Sequence, residues 1–326
     1  MRSIAIAAVR QVIAEFPNDI LKQKTYLEQN LEALIDNDLT DPLEILYAQT
    51  IHELSGEIIT AIPSILATLK KNFDEIVDAS VMESAPFESF RKKIILALGY
   101  KHWREVFYPK YFAKLGIKTC VYCNAQATLS IKRKQVPGTT DWVRRAKFQV
   151  DHFLAKNSYP CFSISLFNLN PVCASCNNVK STKKILFELY EDQPGASPFH
   201  FYLEKESKGR FLNSRKLDDI VIKVKSDHKA TRGFADHIGL FEIEGIYSEY
   251  RDVAEELLLK AEVYTPDYKK TLRNTFKDYI TSENINRLLT GNYVAEDELH
   301  KRPLSKFVRD VSLDLGLIEP ANQANH

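Results

Sequence analysis

Two Cys-x-x-Cys pairs constrain this chain more than any other feature of its sequence. Cys120 and Cys123 form the first pair, Cys173 and Cys176 form the second, and 49 residues separate the two. Each pair can supply one edge of a tetrahedral zinc site, so together they predict a closed, structural four-cysteine zinc site. Disulfides or a redox pair are the alternatives. Disulfides need an oxidising compartment, which nothing in the sequence suggests, and a thioredoxin-type pair comes singly.

The separation between the pairs is much longer than the roughly 15–20 residues of a simple zinc ribbon, which predicts an inserted element. Residues 127–134 alternate in the manner of a strand, residues 137–141 have turn composition, and residues 146–150 are predicted to form the returning strand. Residues 174–184 are predicted to form a helix. The inserted element is therefore expected to be a β-hairpin followed by a helix.

The region around the insert is strongly basic. Residues 118–185 contain eleven Lys or Arg and two acidic residues, a net charge of about +9 in a chain whose net charge is +1. A basic block in a nearly neutral chain is typical of a surface that binds a phosphate backbone, although a solvated charged face is the alternative. The cations predicted to contact nucleic acid are Lys132, Arg133, Lys134, Arg144, Arg145, Lys147, Lys180, Lys183 and Lys184.

An Asp-His pair and an asparagine-rich approach complete the pattern. The order Cys-x-x-Cys, Asp151-His152, then Asn168-Leu-x-Pro-x-Cys-x-x-Cys-Asn177-x-x-Lys resembles the HNH endonucleases of the ββα-metal (His-Me finger) class that carry a four-cysteine zinc clip. The resemblance implies that His152 is the general base and that Asn168 fixes the loop that orients it. It also implies that Asp151 and Asn177 hold one catalytic divalent ion, Mg²⁺ or Mn²⁺.

The chain departs from the family at two positions. The family often has His where Asn177 stands, which leaves the preferred metal open, and often has Pro where this chain has Ala155. Asn178 is the alternative ligand to Asn177.

These residue types suit phosphodiester hydrolysis. An imidazole can take a proton from water at neutral pH, and a hard divalent ion held by oxygen ligands can stabilise the leaving oxygen. Successive residues of a strand point to opposite faces. Asp151 and His152 can therefore face one phosphate only if the strand ends or bulges there. A second Asp-His pair, at residues 227–228, lacks such partners and is predicted to lie in a surface loop.

Length and composition indicate the overall class. With 326 residues, 44% apolar content, 11 Gly and 13 Pro, the chain is neither disordered nor a β-sandwich. We predict a mainly α protein with a small α+β module: a helical region at 1–105, a zinc-containing HNH nuclease module at 106–185 and a mostly helical region at 186–326. No stretch approaches 18 uninterrupted apolar residues and no signal sequence is recognisable, which predicts a cytoplasmic protein without a membrane span.

Two helical segments have open roles. Residues 1–105 are either an all-α scaffold or a docking surface, and Pro63 is expected to stop or kink a helix there. Residues 101–115 interleave aromatic and basic side chains, which suits either the core packing of a connecting helix or a stacking platform for single-stranded nucleic acid.

The sequence therefore predicts a metal-dependent endonuclease that hydrolyses DNA, with RNA not excluded and with low intrinsic sequence specificity. The alternative is a non-catalytic, zinc-stabilised module that binds nucleic acid or a partner. Free-standing HNH proteins of this size are similar to bacterial anti-phage defence effectors, such as the nuclease subunit that works with an ATPase in Septu-like systems. That similarity implies an ATPase partner subunit.

Overall fold

The computed structural model describes residues 1–134, 142–195, 199–226, 234–276 and 280–319. The predicted turn at 137–141 and the second Asp-His pair at 227–228 lie outside these ranges. The helices of the described part are α1 (Ile6–Ala14), α2 (Pro17–Asn37), α3 (Pro42–Glu53), α4 (Ser55–Thr60), α5 (Pro63–Ile76), α6 (Ala79–Glu83), α7 (Glu88–Ala97), α8 (Tyr100–Val106), α9 (Tyr108–Lys114), α10 (Ala174–Lys180), α11 (Lys205–Ser214), α12 (Phe234–Leu240), α13 (Ile243–Ser248), α14 (Arg251–Val263), α15 (Pro266–Phe276), α16 (Ser282–Thr290) and α17 (Ser305–Asp314).

The strands form four small two-stranded sheets in the described part of the chain. Their bounds are β1 (Ile4–Ala5), β2 (Leu129–Lys134), β3 (Trp142–Lys147), β4 (Gln149–His152), β5 (Leu169–Val172), β6 (Tyr190–Glu191), β7 (Phe199–Leu203) and β8 (Ile222–Ser226). β1 pairs with β6 in parallel, whereas the pairs β2–β3, β4–β5 and β7–β8 are antiparallel. The protein is mainly helical with small sheets, as predicted.

The N-terminal helices begin where local sequence allows. Pro17, Pro42 and Pro63 each occupy the first turn of a helix, where a missing N–H costs nothing. Asp41 caps α3 by accepting hydrogen bonds from the backbone N–H of Leu43 and Glu44. Pro63 thus starts α5 after the chain has left α4, which agrees with its predicted role as a helix boundary.

Gly99 joins α7 to α8 with a φ of +68°, a conformation that residues with a Cβ rarely adopt. A Cβ at this position would also lie 2.5 Å from Cε1 of Tyr26. The tight junction turns α8 so that Tyr100 and Trp103 face the interior, where both are buried.

The aromatic residues of 101–115 are in the core. Trp103, Phe107, Tyr108, Tyr111 and Phe112 are all buried, and four of them are less than 1% exposed. Rings that are covered by protein cannot stack on bases, so the core-packing interpretation of this segment is correct and the stacking platform is wrong.

The three predicted segments share one hydrophobic core. A single cluster of buried side chains runs from Met1 to Ile318 and includes residues of all three segments. The β1–β6 pairing adds a backbone connection between the start of the chain and the residues just after α10. None of the helices in the described part of the chain is long and apolar enough to span a bilayer.

Candidate metal centre and active site

The four cysteines converge as the sequence predicts. Cys120, Cys123, Cys173 and Cys176 are buried, and their Sγ atoms all lie within 4.8 Å of one another. The four thiols are close enough to perturb one another: their mutual hydrogen bonds lower the pKa of Cys123 and Cys173 and raise that of Cys176, while burial raises that of Cys120. In the described part of the chain, this is the one group of three or more His, Cys, Asp or Glu residues that could hold a metal. The donor set fits a metal such as zinc in a closed tetrahedral site.

The first cysteine pair lies in a tight turn that the backbone closes on itself. The backbone N–H of Cys120 donates to the carbonyl of Gln126, and that of Asn124 donates to the carbonyl of Cys120. Asn124 has a φ of +54°, which an asparagine tolerates better than most residues. The turn presents both Sγ atoms to the second pair, which flanks the start of α10.

The C-terminal region covers this turn, a role that the sequence did not indicate. Tyr247 donates its hydroxyl hydrogen to the carbonyl of Cys123 at 2.8 Å, and His237 Nε2 donates to the carbonyl of Tyr122 at 2.9 Å. The side-chain amide of Asn124 forms hydrogen bonds through both its nitrogen and its oxygen. Its Nδ2 donates to the carbonyl of Leu299, and its Oδ1 accepts from the backbone N–H of Lys306.

An antiparallel pair of strands followed by a helix surrounds Asp151 and His152, but its strands differ from those predicted. β4 carries Asp151 and His152 and pairs with β5, so that Asp151 is opposite Asn170 and His152 is opposite Leu169. α10 follows β5 directly. The predicted hairpin of 127–134 with 146–150 is wrong in its second strand. β2 pairs with β3, which ends at Lys147, and a bend at Phe148 separates β3 from β4. The helix is also shorter than predicted and ends at Lys180.

His152 is oriented by a backbone carbonyl. Its Nε2 lies 2.9 Å from the carbonyl oxygen of Ser163. A carbonyl can only accept a hydrogen bond, so Nε2 carries the proton and Nδ1 keeps its lone pair. Nδ1 has no hydrogen-bond partner among the described residues, and the residue as a whole is 5% exposed. Burial lowers the pKa of His152 to about 3, and the positive charges of Lys156 and Lys180 act in the same direction.

Asn168 holds the segment that follows His152. Its Oδ1 accepts from the backbone N–H of Leu154 at 2.7 Å, and its Nδ2 donates to the carbonyls of Leu154 and Phe162. The side chain is fully buried. Asn168 therefore joins the end of β4 to the loop that contains Ser163, the residue whose carbonyl orients His152.

Asp151 points to the opposite face of β4, as strand geometry requires. Its Oδ1 accepts from Lys180 Nζ at 3.0 Å and its Oδ2 accepts from the hydroxyl of Tyr122. Lys180 Nζ also lies 3.0 Å from Oδ2 and donates to the carbonyl of His152 at 2.9 Å. Asn170 donates to the Tyr122 hydroxyl. Burial raises the pKa of Asp151, although Lys180 and Tyr122 oppose that shift.

These contacts bear on the expected divalent ion. Both oxygens of Asp151 are engaged by protein donors, and the charge of the carboxylate is balanced by an ammonium in the same buried space. Asn177 is half-buried and donates its Nδ2 to Gln149 Oε1 at 2.6 Å, with no contact to Asp151 among those described. Asn178 is exposed on α10. As arranged, the side chains of Asp151 and Asn177 do not form a site for Mg²⁺ or Mn²⁺.

The predicted phosphate-binding cations divide into two groups. Lys180 is 1% exposed and fully engaged, so its place among them is wrong. The other eight form no ion pair with a described residue. Arg144 is half-buried and donates to the carbonyl of Ser130, and seven are exposed: Lys132, Arg133, Lys134, Arg145, Lys147, Lys183 and Lys184.

Three residues near His152 escaped the sequence analysis. The ring of Tyr100 lies 5.0 Å from the imidazole of His152, and the cations of Arg104 and Lys156 lie 5.9 and 5.3 Å from that ring. Such cations are attracted by the face of the ring. Partial burial and the nearby Arg104 lower the pKa of Lys156. Tyr100 and Arg104 are one helical turn apart on α8, a spacing that was visible in the sequence, but nothing there related α8 to His152.

Comparison of the chain with models of protein families, with curated proteins and with solved structures finds no significant match.

Proposed function

We propose that this protein is an endonuclease of the HNH type that hydrolyses DNA with low intrinsic sequence specificity. The observation that carries the proposal is the state of His152 on β4. Its Nε2 donates to the Ser163 carbonyl, which leaves Nδ1 unprotonated, and no hydrogen bond to Nδ1 is formed by the described residues. An imidazole held in one tautomer with a free lone pair is what a general base requires.

The chemistry assigned to the protein groups is the activation of water. Nδ1 of His152 takes a proton as the water oxygen attacks phosphorus. The bond from phosphorus to the 3′ oxygen then breaks, the leaving oxygen takes a proton from solvent, and the products have 5′-phosphate and 3′-hydroxyl ends. The cations of Arg104 and Lys156 lie 5.9 and 5.3 Å from the ring of Tyr100, which itself lies 5.0 Å from the imidazole, and could neutralise phosphate oxygens near His152. A bound phosphate would raise the pKa of His152 towards its ordinary value, because an anion stabilises the imidazolium.

The proposal includes the dependence on Mg²⁺ or Mn²⁺ that the resemblance implies, but no step is assigned to that ion. In the described arrangement, Lys180 forms an ion pair with the carboxylate of Asp151, which the resemblance implies is a ligand of that ion. A requirement for the ion is therefore a matter for measurement.

Zinc is proposed as the ion of the four-cysteine site. Four thiolates leave no open coordination position, so the ion would supply stability and no chemistry. It would join the turn of Cys120 and Cys123, which the C-terminal region covers, to α10, from which Lys180 reaches Asp151. The metal centre would thereby fix the strand that carries His152.

The test is cleavage of supercoiled plasmid by purified protein with Mg²⁺, with Mn²⁺ and with neither. His152→Gln is compared with His300→Gln, because His300 is also buried and also donates Nε2 to a backbone carbonyl, that of Arg2 at 2.7 Å. We expect His152→Gln to slow cleavage about 10²–10⁴-fold and His300→Gln to cleave like the wild type. Zinc content and thermal midpoint are measured for both variants. Equal cleavage by wild type and His152→Gln would refute the assignment.

A second candidate function is supported by the eight cations without ion pairs. They could bind nucleic acid without any contribution from His152. A non-catalytic binding module predicts salt-sensitive DNA binding that persists in His152→Gln, with no cleavage by any of the proteins. Cleavage that appears only when an ATPase partner is added would instead favour the defence-effector reading.

A further inference from the structure

The hairpin of β2 and β3, called the basic ribbon below, is the most exposed element near the candidate site. Six cross-strand pairs connect Leu129–Lys134 with Trp142–Lys147. Six residues per strand make a two-stranded ribbon about 20 Å long. One face contacts the helices at its base, where Ser130 donates its hydroxyl hydrogen to the carbonyl of Pro109 in α9. The other face is free of such contacts among the described residues.

The positive charges of the ribbon do not contribute to the stability of the fold through ion pairs with described residues. Its two strands contain six cations, Lys132, Arg133, Lys134, Arg144, Arg145 and Lys147, and no acidic residue. Lys132 is directly opposite Arg144, and like charges in opposed positions destabilise a sheet. No carboxylate in the described part of the chain lies within ion-pair distance of any of the six. Among the described residues, the six cations are therefore solvated rather than paired, which leaves them available to a polyanion.

The free face alternates cations with apolar side chains. The opposed pairs on this face are Leu129 with Lys147, Ile131 with Arg145, and Val143 with Arg133. Leu129 is 41% exposed and Ile131 is 37% exposed, although aliphatic residues are usually covered. On the opposite face, at the far end of the described ribbon, Trp142 is 59% exposed and Lys134 lies 5.9 Å from its ring. A surface of this kind can contact both phosphates and apolar base edges.

We propose that the basic ribbon binds B-form duplex DNA by lying in its major groove. That groove is about 12 Å wide and admits a two-stranded ribbon, and its thymine methyl groups offer partners to Leu129, Ile131 and Val143. The major groove of duplex RNA is deep and narrow and would not admit the ribbon. The cations on both faces would contact the phosphates that border the groove.

The ribbon is tied closely to the proposed catalytic strand. Only Phe148, packed against Phe112, separates the end of β3 from the start of β4. From Val143 to His152 the chain spans nine residues, at most about 32 Å. The ribbon therefore contacts the groove within one helical turn of the phosphate that His152 would serve, about 34 Å. This positional statement rests on the proposed function, whereas the binding mode does not.

The test uses the full chain carrying His152→Gln and a labelled 30-base-pair DNA duplex. The ribbon variant is Arg133→Gln with Arg145→Gln, both on the free face. The matched control is Lys22→Gln with Lys71→Gln, which removes the same charge from exposed positions on α2 and α5. We expect the ribbon variant to bind about 10–100-fold more weakly and its log–log salt slope to fall by about 2, with the control unchanged.

Two further measurements address the groove and the substrate class. Guanine N7 atoms, which lie in the major groove, should be protected from methylation by the bound protein. Fluorescence of Trp142 should change on binding DNA, since the only other tryptophan, Trp103, is buried. Duplex RNA of the same sequence should bind at least about tenfold more weakly, because its major groove is closed to the ribbon.

Equal weakening by the ribbon and control variants, absent N7 protection or equal affinity for duplex RNA would each overturn the major-groove assignment. N7 protection by the ribbon without plasmid cleavage by the unmutated protein would leave the assignment intact and refute the nuclease. Plasmid cleavage by the unmutated protein, together with unchanged DNA affinity in the ribbon variant, would support the nuclease and refute the major-groove assignment.

Discussion

Two antiparallel hairpins follow each other in this chain and treat charge in opposite ways. The basic ribbon is exposed, and its six cations have no carboxylate partner among the described residues. The β4–β5 hairpin begins one residue later, and in it Asp151 is 5% exposed with both oxygens engaged by Lys180 and Tyr122.

The difference shows that solvent, more than strand pairing, decides what a charged residue on a small sheet can do. Water solvates the ribbon cations and leaves them available to a polyanion. Removing Asp151 from water without a partner would cost several kcal/mol, so the structure supplies an ammonium and a hydroxyl. The predictions below test this contrast, beginning with the largest expected effect.

Loss of a cysteine from the buried hairpin should affect stability most. Cys173 directly follows β5, and Cys173→Ser removes one of four thiolates from the metal centre. We expect loss of bound zinc and a decrease in unfolding free energy of at least about 5 kcal/mol, measured by metal analysis and urea denaturation. Cys161→Ser is the control, because Cys161 is buried outside the cluster and accepts a hydrogen bond from Tyr47. Retention of zinc and of the wild-type transition by Cys173→Ser would contradict the metal centre.

Breaking the buried ion pair should rank second. Lys180→Met leaves the carboxylate of Asp151 buried without its cation, which should lower the unfolding free energy by about 3–5 kcal/mol. The double variant Asp151→Asn with Lys180→Met should recover more than half of that loss in a double-mutant cycle. Arg145→Met in the exposed ribbon should change stability by no more than about 0.5 kcal/mol. Equal effects of Lys180→Met and Arg145→Met would remove the contrast between the hairpins.

Buried histidines should make the protein sensitive to mild acid. Burial lowers the pKa of His152 and of His300 to about 3 each. In the unfolded chain the pKa of each histidine is near its ordinary value of about 6.5, so the unfolded chain binds these protons at a higher pH than the folded protein does. Stability is therefore fully present above pH 6.5 and is lost as pH falls towards 3, by about 1.4 kcal/mol per histidine at pH 5.5.

The measurement is urea denaturation between pH 7.5 and 5.5 for the wild type and for His300→Gln. Burial also lowers the pKa of His237, to about 4. The variant lacks only the proton of His300, so the difference between the two pH slopes separates His300 from the other histidines and from zinc release. Parallel slopes would show that folding does not lower the pKa of His300.

The smallest effect should come from the like-charged pair of the ribbon. Lys132→Thr removes the repulsion with Arg144 and introduces a residue that favours strands. We expect the thermal midpoint of the free protein to stay the same or rise slightly while DNA affinity falls. A lower midpoint would mean that Lys132 stabilises the fold.

Parts of the site could be predicted because they depend on local spacing. The convergence of the four cysteines followed from two Cys-x-x-Cys pairs, and the helical character of 1–105 followed from apolar periodicity. The bond of Asn168 to the segment after His152 also agrees with the role that the resemblance implied. The strand pairing was misjudged because the predicted returning strand, residues 146–150, spans Phe148, where β3 ends and β4 begins with a different partner strand.

The sequence by itself determined which residues could bind a metal, which segments are helical and where positive charge is concentrated. Tertiary structure alone decided that Lys180 is buried against Asp151, that Tyr100 lies beside His152, and that the C-terminal region covers the turn of Cys120 and Cys123. The physical reason is that spacing and periodicity act over a few residues, whereas burial depends on which distant surfaces meet. Burial is also what gives a charged side chain its role, since the same lysine is a phosphate ligand in water and a structural counter-ion in the core.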